Sequence, residues 1–146
     1  IRQSWCWARA LTGDDPAGAA AEAEELLAAN LLDPPKWGIA YHYGLIAEMW
    51  LAAGMPDQAG AALDRADQAI WDYGQRYAEG LLLLLKARLL QARGEPLAAV
   101  RAAAELAHSR SAACEAHLFA RRAERFRAEL DHPSAGRRPT TPGANA

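Results

Sequence analysis

The sequence predicts an all-α chain, on three observations: a turn phrase repeated at near-constant spacing, apolar residues recurring with helical period, and few β-branched residues among abundant Ala, Leu, Glu and Arg. The phrase reads Gly13-Asp14-Asp15-Pro16-Ala17-Gly18-Ala19, then Gly54-Met55-Pro56-Asp57-Gln58-Ala59, then Gly94-Glu95-Pro96-Leu97-Ala98-Ala99, with its glycines 41 and 40 residues apart. A period of this size, with a turn between two helical patterns, marks an array of antiparallel helix hairpins in which no unit can bury its own apolar face. Each glycine is placed to end a helix in the left-handed conformation, because it has no Cβ to clash. The proline that follows falls in the first turn of the next helix, where its missing N–H would be unpaired anyway.

The elements follow in order. Residues 2–11, with Trp5, Cys6, Trp7 and Ala10, are the end of a first helix A, and 16–32 are its helix B, with Asp14 and Asp15 beside the positive end of the helix dipole. Asp33-Pro34-Pro35 closes this unit, since a residue before proline is turned away from helical geometry. Residues 37–53 and 56–71 make the second pair, 76–93 and 96–108 the third, and 109–111 a short connection. In a last helix over 112–130, Ala112, Ala116, Phe119, Ala123, Phe126 and Leu130 alternate spacings of four and three. Arg121, Arg122, Glu124, Arg125 and Arg127 make its wet face, as a terminal cap needs. The units are thus 1–33, 34–73 and 74–109 with a capping helix at 112–130, in one repeat domain over 1–130. Residues 131–146, with Pro133, Pro139 and Pro142 and no large apolar residue after the first of these, are expected to be a disordered tail.

At 146 residues the chain has the length of one domain. Its net charge of −2 is unevenly spread, with two basic and six acidic residues in 1–33 against seven basic and four acidic in 107–146. So mild a bias excludes a nucleic-acid binder of the usual strongly basic kind. Two cysteines, Cys6 and Cys114, make no disulfide framework and fit a reducing, cytoplasmic setting. The longest apolar run, Leu81 to Leu85, is too short to span a bilayer, and no signal peptide is visible. Ile1 opens inside a helical pattern, so an upstream part is expected.

No catalytic, cofactor-binding or metal site is expected. The sequence has no phosphate-cradling glycine loop, no Gly-x-Ser-x-Gly and no His-Glu-x-x-His. Cys114 and His117, three apart on one expected helix, are half of a metal site with no second pair, and read as packing near a helix interface. The carboxylate pairs Asp64/Asp67 and Glu22/Glu25 read as solvated helix faces.

The units resemble tetratricopeptide repeats. Where that family places a small residue in helix A, seven before the glycine, this chain has Cys6, Ala47 and Ala87; where it places a large apolar one, four before the glycine, it has Trp50 and Leu90, with Arg9 in the first unit. The small helix B positions are Ala19, Ala59 and Ala99, and later packing positions include Leu26, Leu63, Ala66, Ala103 and Leu106. The period exceeds the family's usual length of about 34 residues. Together with the phrase Tyr73-Gly74-Gln75-Arg76-Tyr77-Ala78-Glu79, this looks like the divergent arrays at the C-terminal end of large bacterial ATPase-linked transcriptional regulators of the LuxR type and of cyclases.

The resemblance implies a right-handed α-solenoid and a function in protein interaction: the scaffold or sensor region of a larger bacterial regulator with an ATPase switch. The alternatives are a free-standing adaptor or the array of an adenylate or guanylate cyclase. The partner would be a protein, a peptide or the upstream domains of the same polypeptide. The family's concave helix A positions fall on Gln3, Trp7 and Ala10, on Tyr41, Gly44, Glu48 and Leu51, and on Leu81, Leu84, Arg88 and Gln91. The expected partner-binding groove is therefore Gln3, Trp7, Tyr41, Glu48, Leu51, Leu84, Arg88 and Gln91, a mix of amphipathic aromatics and single charges suited to peptide recognition.

Overall fold

The computed structural model describes residues 2–30 and 38–132. Among them lie seven α-helices and no strand: α1 (Arg2–Thr12), α2 (Pro16–Asn30), α3 (Ile39–Ala52), α4 (Pro56–Tyr73), α5 (Glu79–Ala92), α6 (Leu97–Ala113) and α7 (His117–Asp131), with a single 3-10 turn at Arg76–Ala78 before α5. The all-α expectation holds for these residues. No helix among them is long and apolar enough to cross a membrane.

The repeated phrase does the work its residue types demand. Gly54 and Gly94 stand exposed just past α3 and α5 in the left-handed region, at φ 70° and 72°. The peptide N–H after each glycine reaches back five residues, Met55 to the Trp50 carbonyl at 2.9 Å and Glu95 to that of Leu90 at 3.0 Å. The glycine N–H closes the inner bond, to Leu51 and to Gln91, both at 3.0 Å. Two orphan carbonyls at each helix end are thereby satisfied, as in the Schellman arrangement. Gly13, at φ 83°, repeats the pattern after α1.

Several boundaries differ from expectation. Ser109 and Ser111 do not break the chain, because each hydroxyl donates to a carbonyl of the preceding turn, Ser111 Oγ to Ala107 at 2.7 Å and Ser109 Oγ to Leu106 at 3.2 Å. So α6 runs on to Ala113, and the break falls at residues 114–116, where Glu115 adopts φ 55° and the Ala116 N–H bonds the Ser111 carbonyl at 2.9 Å. The last helix therefore begins at His117, not at 112. Asp131, assigned to a tail, ends α7 and pairs with Arg101 of α6 at 2.9 Å. The first turn of the third helix A is the 3-10 turn. The expectations for Asp33-Pro34-Pro35, for Trp37 and for residues 133–146 lie outside the described residues.

The helix B register also drifts. Ala19 and Ala59, three residues past their prolines, are buried, but Ala99 is exposed and Val100 is buried in its place. The cause is the helix start. Pro56 is the first residue of α4, with Met55 accepting from Ala59, whereas Pro96 is itself the cap residue of α6, extended at ψ 136° and accepting from Ala99 and Val100. One residue of delay moves the buried row to Val100, Ala104, Ala107 and Ser111, which leaves Leu106 exposed and Ala103 half-buried.

Helices pack first on their neighbours in sequence, α1 on α2, α3 on α4, α5 on α6 and α6 on α7, and the odd-numbered helices also meet in series: α1 on α3, α3 on α5, α5 on α7. The small residues Cys6, Ala47 and Ala87 are wholly buried. One apolar cluster runs from α1 to α5, and a second joins α5, α6 and α7. Helix α5 serves both, with Leu81, Leu82, Leu85 and Leu89 in the first and Leu84 and Ala87 in the second. A helix with neighbours on two sides must be apolar nearly all round, which is why its sequence opens on a run of leucines. At about 2 kcal/mol for each buried leucine, α5 joins the two clusters more firmly than any surface pair could.

Candidate binding groove

The groove is built where α1, α3 and α5 meet, and its centre is a buried carboxylate. Glu48, only 8% exposed, lies in the middle of α3. Its Oε2 accepts from the indole N–H of Trp7 on α1 at 2.9 Å, and its Oε1 accepts from the guanidinium of Arg122 on α7. One carboxylate thus ties together three helices from the beginning, middle and end of the described chain. Two charge-assisted or indole donors are what make a desolvated carboxylate tolerable in such a place.

Beside Glu48 a cleft of about 270 Å³ opens, lined by Leu11 of α1, by Glu48, Leu51 and Ala52 of α3, and by Arg88, Gln91 and Ala92 of α5. Arg88 lies with its guanidinium carbon 5.0 Å from the centroid of the Phe126 ring of α7, a cation–π contact. Its Nε is buried without an acceptor among the described residues, and no carboxylate of theirs lies within ion-pair distance of it.

Of the eight residues expected to form the groove, Glu48, Leu51, Arg88 and Gln91 line the cleft, and Trp7 is joined to it through Glu48. Gln3 is half-buried on α1, its amide Nε2 lacking an acceptor. Tyr41 lies toward the other end of α3, its ring 6.3 Å from that of Tyr77 and 6.0 Å, edge-on, from His42. Leu84 does not belong to this surface. It is wholly buried in the second cluster, because α6 and α7 cover that side of α5.

Sequence reasoning missed Leu11, Arg122 and Phe126. Arg122 was assigned to the wet face of the last helix, yet it sits three residues after Phe119 and four before Phe126, at the margin of the apolar stripe, and that spacing was the signal. The position in the first unit equivalent to Trp50 and Leu90 is filled by Arg9, which replaces apolar packing by ion pairs to Asp14 at 3.4 Å and Glu22 at 3.2 Å. Trp50 itself is buried and donates its indole N–H to Glu24 of α2 at 3.1 Å.

The two thiols differ. Cys6 is wholly buried, and burial, reinforced by nearby Glu22, pushes its thiol up from the ordinary range, which makes it a packing group and not a nucleophile. Cys114 and His117 do not share a helix as expected: the turn at 114–116 separates them, and both are exposed. Among the described residues no group of three or more His, Cys, Asp or Glu side chains could hold a metal ion.

In comparison with known proteins, no family model, no curated protein and no solved structure matches the chain.

Proposed function

We propose that these helices form a right-handed solenoid of the tetratricopeptide kind, and that it serves as the interaction and sensor region of a larger bacterial signalling regulator, a cytoplasmic transcriptional regulator with an ATPase switch. The observation that carries this reading is the serial contact of α1, α3, α5 and α7, the first three of which line one cleft. The three glycine-ended turns at 41- and 40-residue spacing support it as the construction rule of the array. The occupant of the groove is a protein or peptide segment, from a partner or from upstream domains of the same polypeptide.

The mechanism is differential binding. A segment lying in the cleft touches α1, α3 and α5 together, so its affinity depends on how those helices are spaced. Glu48 makes that spacing a shared variable, because its partners are on α1 and α7. Whichever curvature the ligand prefers is the one that the upstream switch experiences, by an amount equal to the difference in binding free energy between the two.

The test is site-specific photo-crosslinking in the native host, with the photoreactive residue placed at Gln91 in the cleft or at exposed Ala61 on α4. The expected result is one defined adduct from Gln91, to a partner or to an upstream domain, and none from Ala61. Equal labelling from both sites, or none, overturns the groove. The regulator assignment is checked separately by reading the gene upstream of Ile1: a nucleotide-binding loop supports it, and a start codon immediately before Ile1 replaces it with an adaptor.

A further inference from the structure

Trp7, Glu48 and Arg88 occupy one position of the repeat. Each stands six residues before the glycine that ends its helix, Gly13, Gly54 or Gly94, so the three succeed one another along α1, α3 and α5. Trp7 bonds its neighbour in this row, donating to Glu48 at 2.9 Å. Glu48 does not take the next one. Its other oxygen skips Arg88 and accepts from Arg122 of α7, while Arg88 lies on the Phe126 ring with its Nε lacking an acceptor among the described residues. A tie between adjacent helices senses one interhelical angle, whereas a tie from α3 to α7 across α5 senses the sum of two. Of the three residues, Glu48 therefore reports most directly on the curvature of the row.

The rest of α7 is held on its own side. Ala123, Phe126 and Leu130 are buried in the second cluster, and the ion pairs Arg101–Asp131, Arg127–Glu105 and Arg110–Glu79 all lie within α5, α6 and α7. Toward the first cluster α7 presents Arg122 and, three residues earlier, the half-buried ring of Phe119. Because α5 belongs to both clusters, a small tilt of α6 and α7 about α5 strains these two contacts first.

Release of Arg122 alone would strand a buried carboxylate, which is costly. Arg88 removes that obstacle. It borders the same cleft as Glu48, stands on the adjacent helix and has no carboxylate of its own. Arg122, with its side chain 24% exposed, reaches water when it lets go.

We propose that Glu48 is the shared carboxylate of a two-position latch: paired with Arg122 it holds the row curved, and paired with Arg88 it lets the α6–α7 end tilt away from α3. This rests on the groove reading above and adds its regulation, by supplying the two curvatures that differential binding requires. An occupant of the cleft touches Glu48 and Arg88 together and so biases the choice between them.

The experiment needs no ligand. Spin labels are placed on the exposed faces of α1 and α7 through Ala8→Cys and Ala128→Cys, with exposed Cys114→Ser and wholly buried Cys6 left in place, and the distance between them is measured by pulsed electron resonance. The Arg88 Nε–H signal is followed by NMR in the unlabelled chain. Arg122→Gln should lengthen the distance by about 2 Å, the size of a helix shift at a packed interface, and should move the Arg88 signal as it gains the carboxylate. Arg88→Gln, which removes the second position, should leave the distance short. Arg122→Lys, which keeps the charge, should change both readouts in the same direction by less, and it carries the test if the urea midpoint shows that Arg122→Gln has lost its fold. Loss of stability with either readout unchanged overturns the latch and makes the bridge a structural pair. Since both readouts are taken on the empty protein, the latch can fail while the adduct from Gln91 stands, and that adduct can fail while the latch stands.

Discussion

The α3–α4 pair and the α5–α6–α7 end of the molecule use the same two devices, a left-handed residue that stops a helix and a helical glycine that lets a neighbour come close. They differ in what stands opposite. After α3 the left-handed residue is Gly54, and after α6 it is Glu115, with the same pair of returning hydrogen bonds. Within helices, a Cβ added at Gly44 of α3 would meet the tip of Leu82 at 2.9 Å, whereas one added at Gly80 of α5 would meet Ser111 at 2.2 Å from its hydroxyl oxygen and 3.2 Å from its Cβ. Tolerance for change is therefore expected to be greater at the first place than at the second. The middle of the chain repeats a rule, and its end departs from it one residue at a time.

The largest expected effect comes from setting those two glycines against each other. Gly80→Ala drives a methyl into buried Ser111, whose hydroxyl is already committed to Ala107 and whose Cα lies 3.5 Å away, so α5 and α6 must separate. A loss of about 1–3 kcal/mol is expected in urea denaturation. Gly44→Ala needs only a leucine methyl to rotate and gains helix propensity of about 1 kcal/mol, so its midpoint should move little or upward. If both variants lose the same stability, the asymmetry of the two interfaces is wrong.

How much of this was legible depends on where the physics was local. Gly54, Gly94 and the prolines beside them act within one turn of chain, and their roles could be read from residue type alone. The buried row of α6 could not be. Whether Pro96 begins the helix or caps it is a difference of one hydrogen bond, and Gly-x-Pro spells both outcomes. The true break at Glu115 carried no glycine or proline to announce it, while two serines that resemble a connection were absorbed by bonding back into α6. In the groove, Glu48, Leu51, Arg88 and Gln91 followed from the concave positions that the resemblance implies. Leu84 did not, because which side of α5 is covered depends on where α7 packs. Arg122 was hidden for the same reason: its partner lies 74 residues away.

The turns offer the next contrast. A residue with a Cβ held at positive φ costs about 1 kcal/mol or somewhat more. Gly54→Ala should therefore destabilise by about 1 kcal/mol with no steric contribution, since nothing lies within 4 Å of the added methyl. Glu115→Gly should do the reverse and stabilise by a similar amount, less the extra freedom that glycine gives the unfolded chain. Opposite signs in thermal melts would establish that the two turns are one structure with two different residues. Two losses would mean that Glu115 contributes something besides its backbone angle.

The smallest effect separates the regions by acidity. His42, half-buried near the start of α3, has its pKa lowered from 6.5 by burial, which penalises the charged ring. Its Nδ1 finds no hydrogen-bond partner among the described residues. The sign follows from proton binding. Below about pH 6.5 the unfolded chain takes up a proton that the folded chain resists, so this contribution to stability is complete above that pH and is lost as the pH falls toward the depressed folded value. Amide exchange measured at pH 7.5 and 5.5 should show the α3–α4 amides losing protection relative to those of α6 and α7, and His42→Gln, which cannot titrate, should remove that difference. Uniform loss along the chain, unchanged by His42→Gln, would place the acid sensitivity elsewhere and leave the two regions alike in this respect.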